Sequence, residues 1–323
     1  MNSKVKPFIS VIIPVYKTEL YIGKTIQSLV SQTFKDFEVI LVDDETPDSA
    51  IDKAEYKLLQ NNISFTTIHQ KNSGQGVSRN NGVKHVKGEW FLFLDSDDIL
   101  QHDTFELMKN AVSSSRDVNF IFTDYQRVSL GDEFKKAKSI NGVISFEKDA
   151  IQDEFLIRNQ VILAPGTLFN KKWYLSKSLL FKKIPYSEDQ LFIWELLLEA
   201  DKALKIQKTL YNYLQRPGSI MSASKYTEII MGYSEYKNLQ EKYICSEKST
   251  ELTKKYLLSR WVIGILHSGA KLISKNEYKQ LFENLEARKH SKNMLGFSSI
   301  KMKIIAFMLL FFPSITYWIF RKF

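Results

Sequence analysis

The sequence contains a single cysteine, Cys245, among 323 residues. No intrachain disulfide can form, which excludes a disulfide-stapled secreted fold and suits a reducing compartment. Glycine and proline are sparse, at 13 and 7 residues, so collagen-like and low-complexity chains are excluded. No internal repeat is evident. Met1 to Pro7 is short and polar and carries no signal-peptide pattern. Acidic residues run out early, none following Glu286. From Lys271 onward ten basic residues face three acidic ones, so most of the net charge of +9 lies there. Such a segment suits nucleic acid or an anionic membrane. What is present is ordinary for a globular protein: 44% hydrophobic and 25% charged residues, ample for a buried core and about two domains.

The first 125 residues alternate between two hydrophobic periods. Phe8 to Val15, Phe37 to Val42, Ile63 to Ile68, Trp90 to Leu94 and Val118 to Thr123 are short β-branched or aromatic runs and predict strands. Leu20, Ile22, Ile26, Leu29 and Val30 line one face of a helix within Glu19–Gln32. Further helices are predicted up to Leu59, near Val77–Val86 and over Asp103–Val112. This alternation implies an α/β fold with a mainly parallel sheet covered by helices on both faces. Ligands then bind beyond the carboxyl ends of the strands. Residues 131–170 are mixed in pattern. Glu188 to Ala200 predicts a helix and Leu204 to Leu214 a strand. After Ser224 the pattern is helical to about Leu285, and residues 288–299 read as a basic linker.

Ile304 to Phe320 is uncharged over 17 residues, the lower limit for a spanning helix, with Pro313 in its middle. Lys301, Lys303, Arg321 and Lys322 flank it, and Tyr317 and Trp318 suit a membrane interface. The alternative is a buried C-terminal helix. Basic residues at both ends favour a segment lying in one leaflet over one that crosses it. The chain carries no nucleic-acid-binding motif, so membrane contact accounts for the charge.

Four polar clusters follow predicted strands or open a helix. Asp43 and Asp44 end the second strand, either as a turn and helix cap or as acceptors for a base or ribose. Asn72-Ser73-Gly74-Gln75-Gly76 allows close backbone approach. Arg79 just beyond it can meet a phosphate, orient a carboxylate or serve structure alone. Asp95-Ser96-Asp97-Asp98 places three carboxylates within four residues. Their repulsion and hard oxygen donors suit Mg²⁺ or Mn²⁺, with a helix cap as the alternative. Glu188 and Asp189 either cap the helix they open or supply a general base. Arg216 sits in a predicted turn, as a cation over a phosphate or as a solvated loop residue.

Together these clusters resemble the family 2 glycosyltransferases, inverting enzymes with the GT-A fold. The resemblance runs in order through Ser10–Asp48, Asn72–Gly82 (NSGQGVSRNNG), Gly88–Asp98 (GEWFLFLDSDD), Ser187–Asp189 and Tyr213–Ser219. It implies a catalytic domain over 1–224, followed by a helical region over 225–298 and a membrane-associating tail over 299–323. It implies that Pro14, Val15, Tyr16 and Glu19 line the nucleotide pocket, and that Asp44, with Asp43 beside it, reads the base, most often uracil. Asn72, Gly74, Arg79, Asp95, Ser96 and Glu188 would complete the nucleotide-sugar site, with Arg216 near the diphosphate. Asp97 or Asp98 would bind Mg²⁺ or Mn²⁺, and Asp189 would be the catalytic base. The one departure is Glu45, which stands where the family's DDGS-type turn commonly has glycine. The tail resembles those of bacterial capsule and surface-polysaccharide transferases. That implies a UDP-sugar donor, a lipid-linked glycan acceptor and a place on the cytoplasmic side of the bacterial cell membrane. A homo-oligomer is compatible with all of this. A non-catalytic nucleotide-sugar-binding or scaffold protein of the same fold is the alternative function.

Overall fold

The computed structural model describes residues 6–129, 142–157, 162–184, 188–215, 226–244 and 247–322. The chain divides into two compact units. One comprises Met1–Lys148, Ile162–Lys183 and Phe192–Arg216; the other comprises Asp149–Val161, Ile184–Leu191 and Pro217–Phe323.

The first unit is built on strands β1 (Ile9–Val15), β2 (Phe37–Asp43), β3 (Phe65–His69) and β4 (Trp90–Phe93). Between them run α1 (Ile22–Val30), α2 (Ala50–Gln60) and α3 (Gln75–Val83). These four strands pair in parallel, in the order β3-β2-β1-β4. There follow β5 (Ile99–Leu100), α4 (Thr104–Ser114), β6 (Phe120–Ser129), β7 (Val143–Glu147), α5 (Lys148–Ile157) and β8 (Leu168–Asn170). The sequence then passes through α6 (Lys171–Ser176), α7 (Glu188–Glu199) and the long β9 (Lys202–Gln215). Beyond β4 the sheet continues β8-β6-β9-β5, with β7 also on β9.

The sheet is mainly parallel, as expected, since β6 and β9 also pair in parallel, but it includes antiparallel members. β8 is antiparallel to both β4 and β6, and β5 and β7 are antiparallel to β9. β8 and β5 have three and two residues, too few to express a period-2 pattern.

Both faces of the parallel half are buried, as parallel sheets require. Ile9, Val11, Ile13 and Val15 pack with Ile22, Ile26 and Leu29 of α1, Ala50 and Ala54 of α2, and Phe105 and Met108 of α4. On the opposite face Ile12 meets α3. A Cβ on Gly82 would lie 2.4 Å from the Ile12 Cγ2, so glycine lets this helix approach the sheet closely. Phe91, Phe93, Phe169, Tyr174 and Phe192 form a ring cluster on the β4–β8 part.

The second unit contains α8 (Tyr226–Ile244), α9 (Glu251–Leu272), α10 (Lys275–Asn284), α11 (Ala287–Met294), α12 (Ile300–Phe311) and α13 (Pro313–Lys322). α9 is its centre: Trp261 stacks on Tyr236 at 4.2 Å. A capping box, Ser274 with Glu277, starts α10. The expected linker over 288–299 is instead largely α11. Ala287, His290, Ser291 and Met294 recur at helical spacing and are buried, while Arg288, Lys289 and Lys292 face outward. The Ser259 hydroxyl pairs with His290 Nδ1 at 3.0 Å.

The tail belongs to this same unit and is not separate from 225–298. Pro313 starts a new helix, so the apolar run becomes α12 and α13. Among the described residues no helix is long and apolar enough to cross a membrane. Tyr317, expected at a membrane interface, is buried against Tyr278, and its hydroxyl donates to the Ile273 carbonyl at 3.3 Å. Likewise, residues 149–161 and 184–191 group with the helices and not with the expected catalytic domain.

Candidate active site

Parallel pairing brings the carboxyl ends of β1, β2 and β4 to one edge: Val15 lies opposite Asp43, and Ile12 opposite Phe93. The residues just beyond these strands therefore share one place. Asp44 is 3% exposed. Its Oδ1 accepts from the backbone N–H of Ser73 and from Gln70 Nε2, both at 2.8 Å, and its Oδ2 accepts from Gly74 N–H at 2.9 Å. These bonds fill three of roughly four acceptor positions of a carboxylate. Asp44 thus holds the loop before α3 and keeps room for one further donor. Asp43 accepts from Thr46 N–H and faces His69 Nδ1 at 2.9 Å.

The same loop is gripped from the other side. Asp95, just beyond β4, accepts from Gln75 Nε2 at 2.6 Å and from the Arg79 guanidinium at 2.7 Å, both on Oδ1. Arg79 is almost fully buried, with its guanidinium over the rings of Phe181 and Phe93. Of the readings open for Arg79, the structure shows it orienting a carboxylate. Gly74, at φ +89°, turns the chain into α3, a conformation that glycine adopts without penalty. Asn72 donates its N–H to Glu45 Oε2 at 3.1 Å.

Glu45 adopts φ +59°. The turn therefore keeps a left-handed residue where the family commonly places glycine. This conformation costs an L-residue about 1–2 kcal/mol, and the bond to Asn72 offsets part of it. Glu45→Gly and Glu45→Ala both lose that bond, but only alanine retains the strain. The glycine variant is expected to be the more stable of the two by about 1 kcal/mol in urea unfolding. Equal stabilities would contradict the left-handed backbone.

The acidic cluster does not act as one set. Ser96 is buried and its carbonyl accepts from Thr25 Oγ1 at 3.0 Å. Asp98 is 1% exposed and points toward β9, where it accepts from Leu214 N–H at 2.7 Å and from the Tyr211 hydroxyl. Burial, with the charges of Asp95 and Asp97 adding to it, pushes the Asp98 carboxyl up to about 8. Burial also raises Tyr211, and Asp98 reinforces the shift. Asp98 thus anchors the cluster to β9. Asp95 and Asp97 are the partly exposed members.

The family model "Glycosyl transferase family 2" matches residues 10–174, just over half of the chain. The chain belongs to glycosyl transferase family 2. A poly(ribitol-phosphate) beta-glucosyltransferase of Bacillus spizizenii is 31% identical over 67% of this chain. The chain spans about a third of that relative's length, 34%. Among solved structures, Staphylococcus aureus TarS 1–349 in complex with UDP-GlcNAc superposes with a TM-score of 0.70. It has 20% identity, over 97% of this chain and 90% of that one. The mannosyltransferase PcManGT from Pyrobaculum calidifontis, in complex with GDP-Man and Mn²⁺, gives 0.55 at 14% identity, over 99% and 85%. At these identities the structural likeness shows the fold, GT-A.

The family's motif residues fall into groups. Asp43, Asp44, Asn72, Gly74, Arg79, Asp95 and Ser96 stand together at the strand ends. Val15 is fully buried in the core and can meet a nucleotide only through its backbone. Pro14 is buried beside it, while Tyr16 is exposed. Glu19 is occupied: Lys53 Nζ and the Ser49 hydroxyl donate to it at 2.8 and 2.9 Å and hold its carboxyl below the usual range. Its role here is to fasten the start of α2. Glu188 and Asp189 open α7, grouped with the second unit, and Asp189 Oδ1 accepts from Gln190 N–H at 2.8 Å. Arg216 and Ser187 lie outside the described residues.

Sequence reasoning missed Gln75, Tyr211 and Gly166. Gln75 was visible only as part of a glycine loop. Tyr211 reads as an ordinary strand tyrosine, and Gly166 lies in no motif.

The site also bears on the family's divalent ion. Among the described residues no three His, Cys, Asp or Glu side chains stand close enough to cage a metal. Mg²⁺ in nucleotide enzymes is typically held by one or two carboxylates plus phosphate oxygens. Asp97 and Asp95, partly exposed beside each other, fit such a donor set, whereas Asp98 is buried and directed toward β9.

Proposed function

We propose that this chain is an inverting glycosyltransferase that uses a nucleotide sugar, with UDP as carrier. The sugar is a hexosyl or N-acetylhexosaminyl group. The acceptor is a hydroxyl of a lipid-linked glycan in bacterial capsule or exopolysaccharide assembly, at the cytoplasmic face of the cell membrane. The observation that carries this reading is the paired grip on the 73–79 segment by Asp44 and Asp95 at the ends of β2 and β4. It builds a fixed, acidic edge in the position where α/β sheets bind ligands. The UDP assignment is supported by the complexes of TarS with UDP-GlcNAc and UDP, and the polymer acceptor by the Bacillus relative, a poly(ribitol-phosphate) beta-glucosyltransferase.

The chemistry follows from the residues. Asp44 has one acceptor position left for the N–H of a base. Asp95, held by Arg79 and Gln75, is fixed in orientation toward the ribose and diphosphate. Asp97, with Asp95, would hold the Mg²⁺ or Mn²⁺ ion, which supplies Lewis-acid stabilisation of the diphosphate charge when bound. Asp189 takes the proton of the acceptor hydroxyl. The acceptor oxygen attacks the anomeric carbon opposite the nucleotide, and the bond from that carbon to the diphosphate oxygen breaks. The nucleoside diphosphate leaves with the electron pair, and the anomeric configuration inverts.

Thermal unfolding with UDP, GDP and a panel of nucleotide sugars, with and without Mn²⁺, tests donor binding. A ligand at about 100 times its dissociation constant should add about 2.7 kcal/mol. A uridine-specific, metal-dependent shift that Asp97→Asn loses is expected. A folded sample that responds to no nucleotide would instead support the non-catalytic scaffold reading.

A further inference from the structure

α12 and α13 expose what a water-facing helix normally hides. On α12, Ile300, Ile304, Phe307 and Phe311 recur at i, i+4, i+7 and i+11, forming one outward stripe. Ile304 is 56% exposed, Phe307 49% and Phe311 62%. The opposite side, Ala306 and Leu309, is buried. On α13, Ile315, Trp318 and Ile319 face outward, Trp318 at 56%, while Thr316, Tyr317 and Phe320 pack inward. Phe307 lies 4.7 Å from Phe311 and 6.4 Å from Phe312, ring to ring, so these aromatics form a continuous patch that runs up to the Pro313 break. Contiguous apolar surface of this kind marks an interaction face.

The charge around the patch identifies its partner. On a wheel of about 3.6 residues per turn, Lys301 and Lys303 fall on either side of the stripe. Arg321 and Lys322 close its far end. Between Glu286 and the last residue there are seven Lys and Arg and no Asp or Glu. A second copy of the chain would set this positive field against itself. An anionic phospholipid headgroup layer complements it, and lysine stems can lie along the apolar stripe while their ammonium groups reach the phosphates.

Length decides the mode of contact. α12 and α13 have 12 and 10 residues, so each spans about 15–18 Å, against about 30 Å for a bilayer's hydrocarbon core. Their inner faces are already committed to protein.

We infer that the outer face of α12 and α13 docks on an anionic phospholipid surface, with both helices lying in the interfacial plane and neither crossing it. This deepens the membrane placement in the proposed function and rests on it, but it does not depend on the transfer reaction. The test is co-sedimentation of the full chain, without donor, with vesicles of phosphatidylcholine plus phosphatidylglycerol and with phosphatidylcholine alone. Wild-type protein is expected to sediment with the anionic vesicles. The triple variant Phe307→Ser, Phe311→Ser, Trp318→Ser should partition at least about tenfold more weakly to them. Lys301→Gln with Lys303→Gln should lose roughly fivefold per lysine on anionic vesicles and little on neutral ones. All these positions are exposed, so unchanged thermal unfolding is expected and separates docking from misfolding.

Wild-type protein that stays in the supernatant, or a triple variant that sediments as well as wild type, would overturn the inference. So would light scattering that shows a dimer abolished by the triple variant while vesicles remain unbound. The nucleotide shift, measured on the same variants, reports separately on the transferase reading.

Discussion

Asp189→Asn is expected to lower sugar transfer by about 10²–10⁴-fold, the usual contribution of a positioned general base. Nucleotide-induced stabilisation should stay at its wild-type size. Asparagine preserves the shape of the side chain and can still accept the Gln190 N–H bond through its amide oxygen. It cannot take a proton from an acceptor hydroxyl. The donor groups at the strand ends, Asp44, Asp95 and Arg79, are untouched. Retained nucleotide binding with collapsed turnover is the expected signature, and normal turnover would remove Asp189 from the mechanism. Loss of both binding and turnover would instead indicate a structural role at the start of α7.

The largest expected effect on stability is that of Gly166→Ala. Gly166 adopts φ +78°, and its N–H bonds to the Phe93 carbonyl at 2.8 Å. An added Cβ would lie 2.4 Å from Cδ2 of Tyr211 and 3.0 Å from its Cγ. Tyr211 is buried and tied through its hydroxyl to Asp98, so the ring cannot swing aside cheaply. Left-handed strain of about 1–2 kcal/mol adds to an overpacking cost of about 1–3 kcal/mol. A loss of roughly 2–5 kcal/mol is expected in urea unfolding. Gly74→Ala is the control. It carries the same kind of positive φ, but a Cβ there meets nothing within 4 Å. Only the backbone strain applies, about 1–3 kcal/mol at its φ of 89° and ψ of 160°. Because Tyr211 holds the acidic cluster, Gly166→Ala should also weaken nucleotide binding beyond its effect on folding.

The reach of sequence reading follows from the range of the interactions involved. β1, β2 and β4 are legible because β-branched and aromatic runs of four to seven residues mark buried strands, and α1 because Ile22, Ile26 and Leu29 repeat at helical spacing. The acidic and glycine clusters are legible because they follow those strands directly. α11 was hidden because its inner face, Ala287, His290, Ser291 and Met294, is not uniformly apolar, while the outward lysines dominate the impression. The bond from Asp98 to Tyr211 spans 113 residues of sequence. Nothing local distinguishes a carboxylate that anchors a strand from one that binds a metal. Gly166 takes its meaning from the Tyr211 ring packed above it, a contact that only the folded chain defines. The tail was legible as apolar and basic, but its division into an inner face and an outer stripe required the helices' packing.

The most direct test of the central claim is the anomeric configuration of the transferred sugar, read by NMR on product formed from an α-linked UDP-sugar and membrane-derived acceptor. The account predicts a β-linked product, formed by wild-type protein and nearly absent with Asp189→Asn. An α-linked product, or nucleotide binding without transfer to any acceptor fraction, would contradict it.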